Sequence, residues 1–295
     1  MDTLTLRQLR YFAALRDEGH FGRAAERCAV SQPALSVQIK DLEGQFGFEL
    51  FERGARGVRL TSMGDAFAGH AQRILQSVAD LEDWATSAKS GKLERLRLGV
   101  IPTIAPYLVP KLVPALGHAF PDMDIHIRET VTPKLVEELS AGLIDAALVA
   151  LPLDEPSLTE LRLFSEDMVL IRHTAALQDG PLTADSIAHM RLLLLEEGHC
   201  FRDQTLSFCN INPRQRREGL DGSSLTTLVQ MVGAGIGVTL IPDMAIPVET
   251  RSTPVQVCRF ASPAPQRDIG LVWRSTNPIG NALTEIGQII AQVRA

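Results

Sequence analysis

The chain has 295 residues, a length that predicts two or three domains. Hydrophobic residues make up 45% and charged residues 22% of the sequence, which excludes a disordered chain, a collagen and a coiled-coil rod. Apolar runs all fall short of the roughly 18 residues that a membrane span needs, and the first residues lack a signal-peptide pattern. We therefore expect a cytoplasmic protein with no membrane contact.

The net charge of −6 does not itself indicate nucleic-acid binding. Residues 1–60 carry nine basic and eight acidic side chains, so this segment is nearly neutral while the remainder is acidic. Any binding of DNA must therefore come from local placement of charge and from motif.

The first sixty residues predict three short helices and a wing. Apolar residues at helical spacing mark a helix over about 5–18 and a second helix after Gly19. Ser31 is a typical N-cap and Pro33 a typical first-turn residue for the third helix. Arg53 and Arg56 then fall in a predicted two-stranded wing, where arginines can meet phosphates. This pattern suits a helix-turn-helix, although a helical bundle with one polar face would also satisfy it.

The sequence FGRAAERCAVSQPALSVQIKDLEGQFGFELFERGARGVRLTSMGDAF resembles the winged helix-turn-helix of the LysR-type transcriptional regulators. The resemblance implies a DNA-binding domain over residues 1–60. It also implies that Ser31, Gln32, Pro33 and Ser36 face the DNA and that Arg53 lies at its backbone.

Residues 61–89 predict one long helix. Its apolar residues alternate steps of three and four, which makes a seam of about three heptads. A helix of about 29 residues is roughly 43 Å long, too long for one small domain to cover. We therefore expect a dimerisation helix, and promoter DNA with two-fold related half-sites.

Residues 93–295 predict an α/β regulatory domain. Strands alternate with helices over 96–151, which predicts a doubly wound parallel sheet, and a second α/β set follows. We place lobe I at about 93–163 and 268–295, and lobe II at about 164–267, with a ligand cleft between them. By resemblance to the LysR-type regulators, this domain is similar to the periplasmic binding proteins.

The segment LLLLEEGHCFRDQTLSFC, residues 192–209, contains two of the four cysteines. Cys200 begins a predicted helix beside His199 and Arg202, and a helix N-terminus and nearby cations favour the thiolate that attacks a peroxide. In one continuous helix Cys209 would lie about 13.5 Å further along the axis. A disulfide needs Cα atoms within roughly 7 Å, so a disulfide between them would have to remodel the helix. Two inert core cysteines are the alternative interpretation.

This segment, with IPTIAPYLVP, SLTTLVQMVGAGIGVTLIP and RDIGLVWR, is similar to the peroxide-sensing activators of the LysR family. The resemblance implies that hydrogen peroxide oxidises Cys200, that Cys209 resolves the product, and that the disulfide activates oxidative-stress genes. It implies RNA polymerase as a partner, glutaredoxin or thioredoxin as reductant, a homodimer to homotetramer, and no cofactor. The implied peroxide pocket comprises Thr103, Thr132, His199, Arg202, Asp203, Gln204 and Arg267.

The residues leave other interpretations open. Thr103 and Thr132 each precede or begin a helix, so both also look like N-caps. Ser223 and Ser224 begin a predicted helix and could bind an anionic metabolite in a regulator of another kind. A thiol peroxidase would use the same chemistry, but a DNA-binding head would then be unexplained, so we do not expect an enzyme.

The remaining features carry weaker predictions. We expect Cys28 and Cys258 to be structural and residues 210–222 to form a mobile loop. A metal site at His118 and His126 is not favoured, because solvated histidines near carboxylates are more common.

Overall fold

The computed structural model describes residues 4–54, 57–90, 93–176, 182–188, 190–209 and 220–294. The chain divides into two compact units, Met1–Ser90 and Gly91–Ala295. Neither contains a helix that is long and apolar enough to cross a membrane, within the residues just given.

The first unit is a winged helix-turn-helix followed by a long helix. Its elements are α1 (Leu6–Glu18), α2 (Phe21–Arg27), α3 (Gln32–Phe46), β1 (Phe51–Gly54), β2 (Gly57–Leu60) and α4 (Ser62–Ser90). Strands β1 and β2 pair as an antiparallel wing. Local sequence sets the helix ends: Thr5 caps α1 in a reciprocal pair with Gln8, and Gly19 ends it in a left-handed conformation at φ 60°.

Buried apolar side chains of α1, α2 and α3 form the core of this unit. Phe12 lies at its centre, with ring centroids 5.1 Å from Phe51 and 4.9 Å from Phe67. On α4, Ala71 is buried in the same core, whereas Ile74 and Leu81 are 42% and 60% exposed. Part of the predicted seam is thus used within the unit and part remains on the surface.

The second unit contains the remaining elements. The helices are α5 (Ala105–Ala119), α6 (Thr132–Ser140), α7 (Ala184–Ala188), α8 (Cys200–Phe208), α9 (Leu225–Gly233), α10 (Ile246–Glu249) and α11 (Gly280–Arg294). The strands are β3 (Arg95–Val100), β4 (Asp124–Glu129), β5 (Ala146–Leu151), β6 (Leu158–His173), β7 (Leu194–Leu195), β8 (Asp221–Gly222), β9 (Thr239–Pro242), β10 (Val255–Cys258) and β11 (Gln266–Arg274).

Its main sheet has seven strands in the order β10-β6-β11-β5-β3-β4, with β9 also paired to β6. Strands β3, β4 and β5 are parallel, but β11 is antiparallel to both β5 and β6. The strands predicted over 96–151 are thus parallel as expected, and β11 makes the sheet as a whole mixed. Strand β11 lies between β5 and β6, although only residues 152–157 separate those two strands in sequence.

Two hydrophobic cores lie on this sheet. One contains the buried residues of β3, β5, α5 and α11, and the other those of α8, α9, β9 and the second half of β6. We refer to these as the first and second regulatory cores. Strand β6 contributes to both, because Phe164 belongs to the first core and Met168 to the second.

The apolar run at residues 192–195 forms little regular strand. Its four leucines are buried, but only Leu194 and Leu195 form a strand, and Leu192 makes a single bridge to Val238. An apolar run indicates burial more reliably than it indicates a strand.

Candidate functional site

Cys200 is the first residue of α8 and is half-buried. Gly198 precedes it at φ 93°, a left-handed conformation that favours glycine, and the chain then enters the helix through His199. The Cys200 side chain packs against the first regulatory core. It also lines an open cleft of about 780 Å³. Cys200 thus combines access from solvent with a fixed position at the start of a helix.

Cys209 lies at the opposite end of the same helix. It is the C-cap of α8, only 3% exposed, and belongs to the second regulatory core. Burial raises the pKa of the Cys209 thiol to about 11, so this thiol is protonated at neutral pH. Both cysteines are free thiols. The nine residues of α8 span about 13.5 Å, so the two sulfurs cannot bond while the helix is intact.

A buried arginine lines the same cleft as Cys200. Nη2 of Arg267 lies 2.7 Å from Oε1 of Glu166, and neither side chain is exposed. Arg267 also donates from Nη1 to the Thr103 hydroxyl at 2.8 Å, and its guanidinium stacks over Phe201 with 5.2 Å to the ring centroid. These contacts hold one positive charge beside the first turn of α8.

His199 and Arg202, the predicted cations next to Cys200 in sequence, do not supply a positive charge at the start of α8. Burial lowers the pKa of His199 below its usual value, and the opposing effect of Glu196 is smaller, so the ring is neutral at pH 7. The Arg202 guanidinium is engaged elsewhere, because Nη1 donates to Asp221 Oδ2 at 2.8 Å and to the Leu195 carbonyl at 2.7 Å. The buried cation that lines the cleft with Cys200 is Arg267, distant in sequence, and its guanidinium is paired with Glu166.

The two threonines are not N-caps, contrary to the sequence-based interpretation. Helix α5 is capped by Ile104, one residue after Thr103, whose hydroxyl accepts from Arg267 instead. Helix α6 is capped by Val131, and Thr132 is its first residue. The Thr132 hydroxyl is buried and has no hydrogen-bond partner among the residues that the structure describes.

The predicted pocket is only partly assembled around the cleft. Asp203, Gln204 and Arg267 line the cleft together with Cys200, and Thr103 reaches it through Arg267. Gln204 Oε1 is a second buried acceptor that lacks a partner in the described part of the chain. Thr132, His199 and Arg202 do not line this cleft. All three nevertheless lie at the start of α6 or in the turn and first residues of α8.

Sequence reasoning missed Glu166. This residue lies in the middle of β6, where no motif or charge run distinguishes it. The only signal in the sequence is an acidic side chain at an inward position of an alternating strand, and its place opposite Arg267 emerges only from the register of β6 and β11.

The candidate DNA interface is the exposed side of α3. Ser31 accepts from the backbone N–H of Ala34 at 3.4 Å and so caps the helix. Gln32 and Pro33 occupy its first turn and are exposed, as Ser31 is, while Ser36 is half-buried. Sequence reasoning did not assign Val37, which is 55% exposed on the same helix. Arg56 and the side chain of Arg53 lie outside the described residues.

The other two cysteines pack in cores. Cys28 is half-buried against the core of the first unit, and burial raises the pKa of its thiol. Cys258 is buried at the end of β10. His126 contacts Asp124 at 2.8 Å on the surface, and the described residues contain no group of three or more potential metal ligands. Most of the predicted mobile loop, residues 210–219, lies outside the described part.

Two family models match the chain. The model described as bacterial regulatory helix-turn-helix protein, lysR family, matches residues 6–65, and the model of the LysR substrate binding domain matches residues 89–295. Among curated relatives, the DNA-binding transcriptional dual regulator OxyR of Escherichia coli (strain K12) is 36% identical over 290 residues, covering 97% of this chain and 95% of the relative. A probable hydrogen peroxide-inducible genes activator of Streptomyces viridosporus is 40% identical, covering 92% of this chain and 88% of the relative.

Two solved structures are also similar to the chain. A full-length cysteine-to-aspartate variant of OxyR from Pseudomonas aeruginosa matches with a TM-score of 0.77 and 35% identity, covering 98% of each chain. An H2O2-bound cysteine-to-serine variant of OxyR from Corynebacterium glutamicum matches with a TM-score of 0.68 and 34% identity, covering 98% of this chain and 92% of that one. The chain therefore belongs to the LysR family of bacterial transcriptional regulators and, within it, to the OxyR subfamily.

Proposed function

We propose that this regulator responds to hydrogen peroxide by forming a reversible Cys200–Cys209 disulfide. One observation carries the proposal: a single helix, α8, has a free thiol at each end, one packed on the first regulatory core and the other buried in the second. A bond between these sulfurs cannot form without a change in the helix, so oxidation and conformation are coupled.

The first step oxidises Cys200. Its thiolate attacks one oxygen of hydrogen peroxide, the O–O bond breaks, and an S–O bond forms. The sulfur loses two electrons and becomes a sulfenic acid, while the departing hydroxide takes a proton and leaves as water. Cys200 is the first residue of α8 and shares its cleft with Arg267, whose guanidinium is paired with Glu166.

Polar groups near Cys200 are suited to binding the peroxide. The Thr132 hydroxyl and Gln204 Oε1 are buried without partners among the described residues, so each is available to a small hydrogen-bonding ligand, and Gln204 lines the cleft together with Cys200. Thr103 and Asp203 complete the polar surroundings, the former through Arg267. In this proposal Arg202 and the neutral His199 hold the turn before α8 and do not supply charge.

The second step joins the two cysteines. The Cys209 sulfur attacks the oxidised sulfur of Cys200, an S–S bond forms, and the hydroxyl leaves with the thiol proton as water. This step requires α8 to open, which withdraws Phe201 from beneath Arg267 and exposes Cys209. A dithiol reductant such as glutaredoxin or thioredoxin restores the two thiols.

The first unit carries the response to DNA. We propose that α3 enters the major groove, that exposed residues of α4 such as Leu81 pair two chains, and that two dimers form a tetramer. The disulfide then changes how the winged helix-turn-helix domains bind two-fold related half-sites of a promoter. The bound regulator recruits RNA polymerase. On this account the protein acts in the cytoplasm as a transcriptional activator and not as an enzyme.

The alternative function, a regulator that binds an anionic metabolite at Ser223 and Ser224, has less support. Ser224, one of its two expected anion-binding residues, uses its hydroxyl to accept from the backbone N–H of Thr227 at 3.2 Å. That contact is an ordinary helix cap.

In vitro transcription from a responsive promoter tests the proposal. Peroxide should increase transcript with the native chain. Cys200→Ser should bind the same promoter and give no increase, and Cys28→Ser is the matched control that should respond normally. A full peroxide response in the Cys200→Ser variant would overturn the proposal.

A further inference from the structure

A buried carboxylate lies between three helices of the regulatory domain. The hydroxyl of Tyr107 donates to Oε1 of Glu249 at 2.7 Å, and the hydroxyl of Thr226 donates to the same oxygen at 3.1 Å. Glu249 is only 7% exposed. A carboxylate is costly to bury unless donors compensate for lost water, so these two hydrogen bonds are what makes its position tolerable.

The three residues belong to helices of both regulatory cores. Tyr107 lies on α5, whose buried leucines belong to the first regulatory core, yet its own side chain packs against the second. Glu249 ends α10 and Thr226 lies in the first turn of α9, both beside the second core. The carboxylate therefore joins a helix of the first core to a helix of the second.

The groups around the Glu249 carboxylate include a helix start and two hydroxyl donors. The first turn of α9 presents the positive end of a nine-residue helix. Burial and the nearby Glu249 both raise the pKa of Tyr107, which keeps its hydroxyl protonated and able to donate. Thr226 is exposed, so one of the two donor residues lies at the surface of the domain.

We propose that Glu249 is a built-in carboxylate ligand, which occupies an anion site formed by the Tyr107 and Thr226 hydroxyls at the start of α9. The lobes are then held together by the chain's own side chain and need no small carboxylate from solution. The site accordingly takes a small organic carboxylate, such as formate or acetate, once the glutamate side chain is removed. This inference rests on the two-lobed domain of the proposed regulator and not on its peroxide chemistry.

Thermal unfolding of the full chain with Glu249→Ala tests the proposal. The variant should melt several degrees below the native chain, and millimolar formate or acetate should restore much of the loss. Chloride at the same ionic strength should not. Glu249→Leu, which fills the space without an acceptor, should melt low and gain nothing from either carboxylate.

A double variant tests whether the Tyr107 hydroxyl is a donor to the bound carboxylate. Adding Tyr107→Phe to Glu249→Ala should weaken the rescue by about tenfold in carboxylate concentration, the equivalent of one lost hydrogen bond. If Glu249→Ala folds only when acetate is present during purification, the proposal is equally supported. Equal stability with and without carboxylate, or rescue by chloride, would overturn it.

The peroxide proposal can fail separately. The rescue should persist in a Cys200→Ser background, where no peroxide chemistry is possible. Loss of the rescue there would contradict the anion site, while failure of the disulfide in the native chain would leave the site unaffected.

Discussion

Arg267 and Glu166 form an ion pair of 2.7 Å between Nη2 and Oε1, with both side chains fully excluded from solvent. The second carboxylate oxygen accepts from the backbone N–H of Met244 at 3.3 Å. The guanidinium also donates to Thr103 and covers Phe201. One buried pair thus connects the long strand β6, the turn before α5 and the first turn of α8.

Removing one partner of the Arg267–Glu166 pair should strongly destabilise the regulatory domain. Glu166→Ala leaves a buried guanidinium without its counter-charge, and such losses typically cost about 3–5 kcal/mol. We therefore expect a large fall in the melting temperature of the regulatory domain, measured by calorimetry on the full chain.

An exposed pair on the same strands provides the control. Arg162 and Asp268 are 2.9 Å apart but 61% and 40% exposed. Arg162→Met should change the melting temperature little, because surface pairs are screened by water. If Arg162→Met destabilised the chain as much as Glu166→Ala, the burial of the Arg267 pair would not be what stabilises the fold.

Much of this fold follows from the sequence, and the exceptions have physical reasons. Helix ends such as Gly19 and Ser31 depend on a few neighbouring residues, so the local sequence pattern predicts their positions. The partner of Arg267 depends on strand register between residues about a hundred positions apart, which no local pattern contains. The mixed sheet was missed for the same reason, because β11 enters it from the far end of the chain.

His199 should make stability depend on pH. Burial lowers its pKa in the folded chain, so between that value and about 6.5 the unfolded chain binds more protons. The stability associated with the neutral ring is thus complete above pH 6.5 and is lost as the pH falls through the folded-state pKa. The melting temperature should decline over this range, and His199→Gln should reduce the decline. His118→Gln, at an exposed site, should leave it unchanged. An unaltered decline in His199→Gln would contradict the assignment.

The two cysteines of α8 should differ in reactivity. A pKa of about 11 lowers the thiolate fraction of Cys209 at neutral pH on the order of 100-fold relative to the unfolded chain. Timed iodoacetamide labelling with mass spectrometry should therefore modify the half-buried Cys200 first and Cys209 only in denaturant. Equal native labelling rates would show that Cys209 is not held in the second regulatory core.

Gln32 should contribute to sequence recognition. It is exposed in the first turn of α3, and an amide that reads a base edge discriminates by about 1–3 kcal/mol. Gln32→Ala should weaken binding to the promoter by about tenfold or more and leave binding to unrelated DNA unchanged, as measured by fluorescence anisotropy at fixed salt. Gln45→Ala, an exposed glutamine near the other end of α3, is the matched control. Equal losses in the two variants would exclude a role for the first turn.

The most direct test is the disulfide itself. Non-reducing mass spectrometry of the full chain, after less than one equivalent of hydrogen peroxide, should yield a peptide pair that joins Cys200 to Cys209. The same treatment should leave Cys28 and Cys258 unmodified, and a dithiol should reverse the bond. Cys200 recovered as a stable sulfenic acid, or joined to any cysteine other than Cys209, would contradict the account.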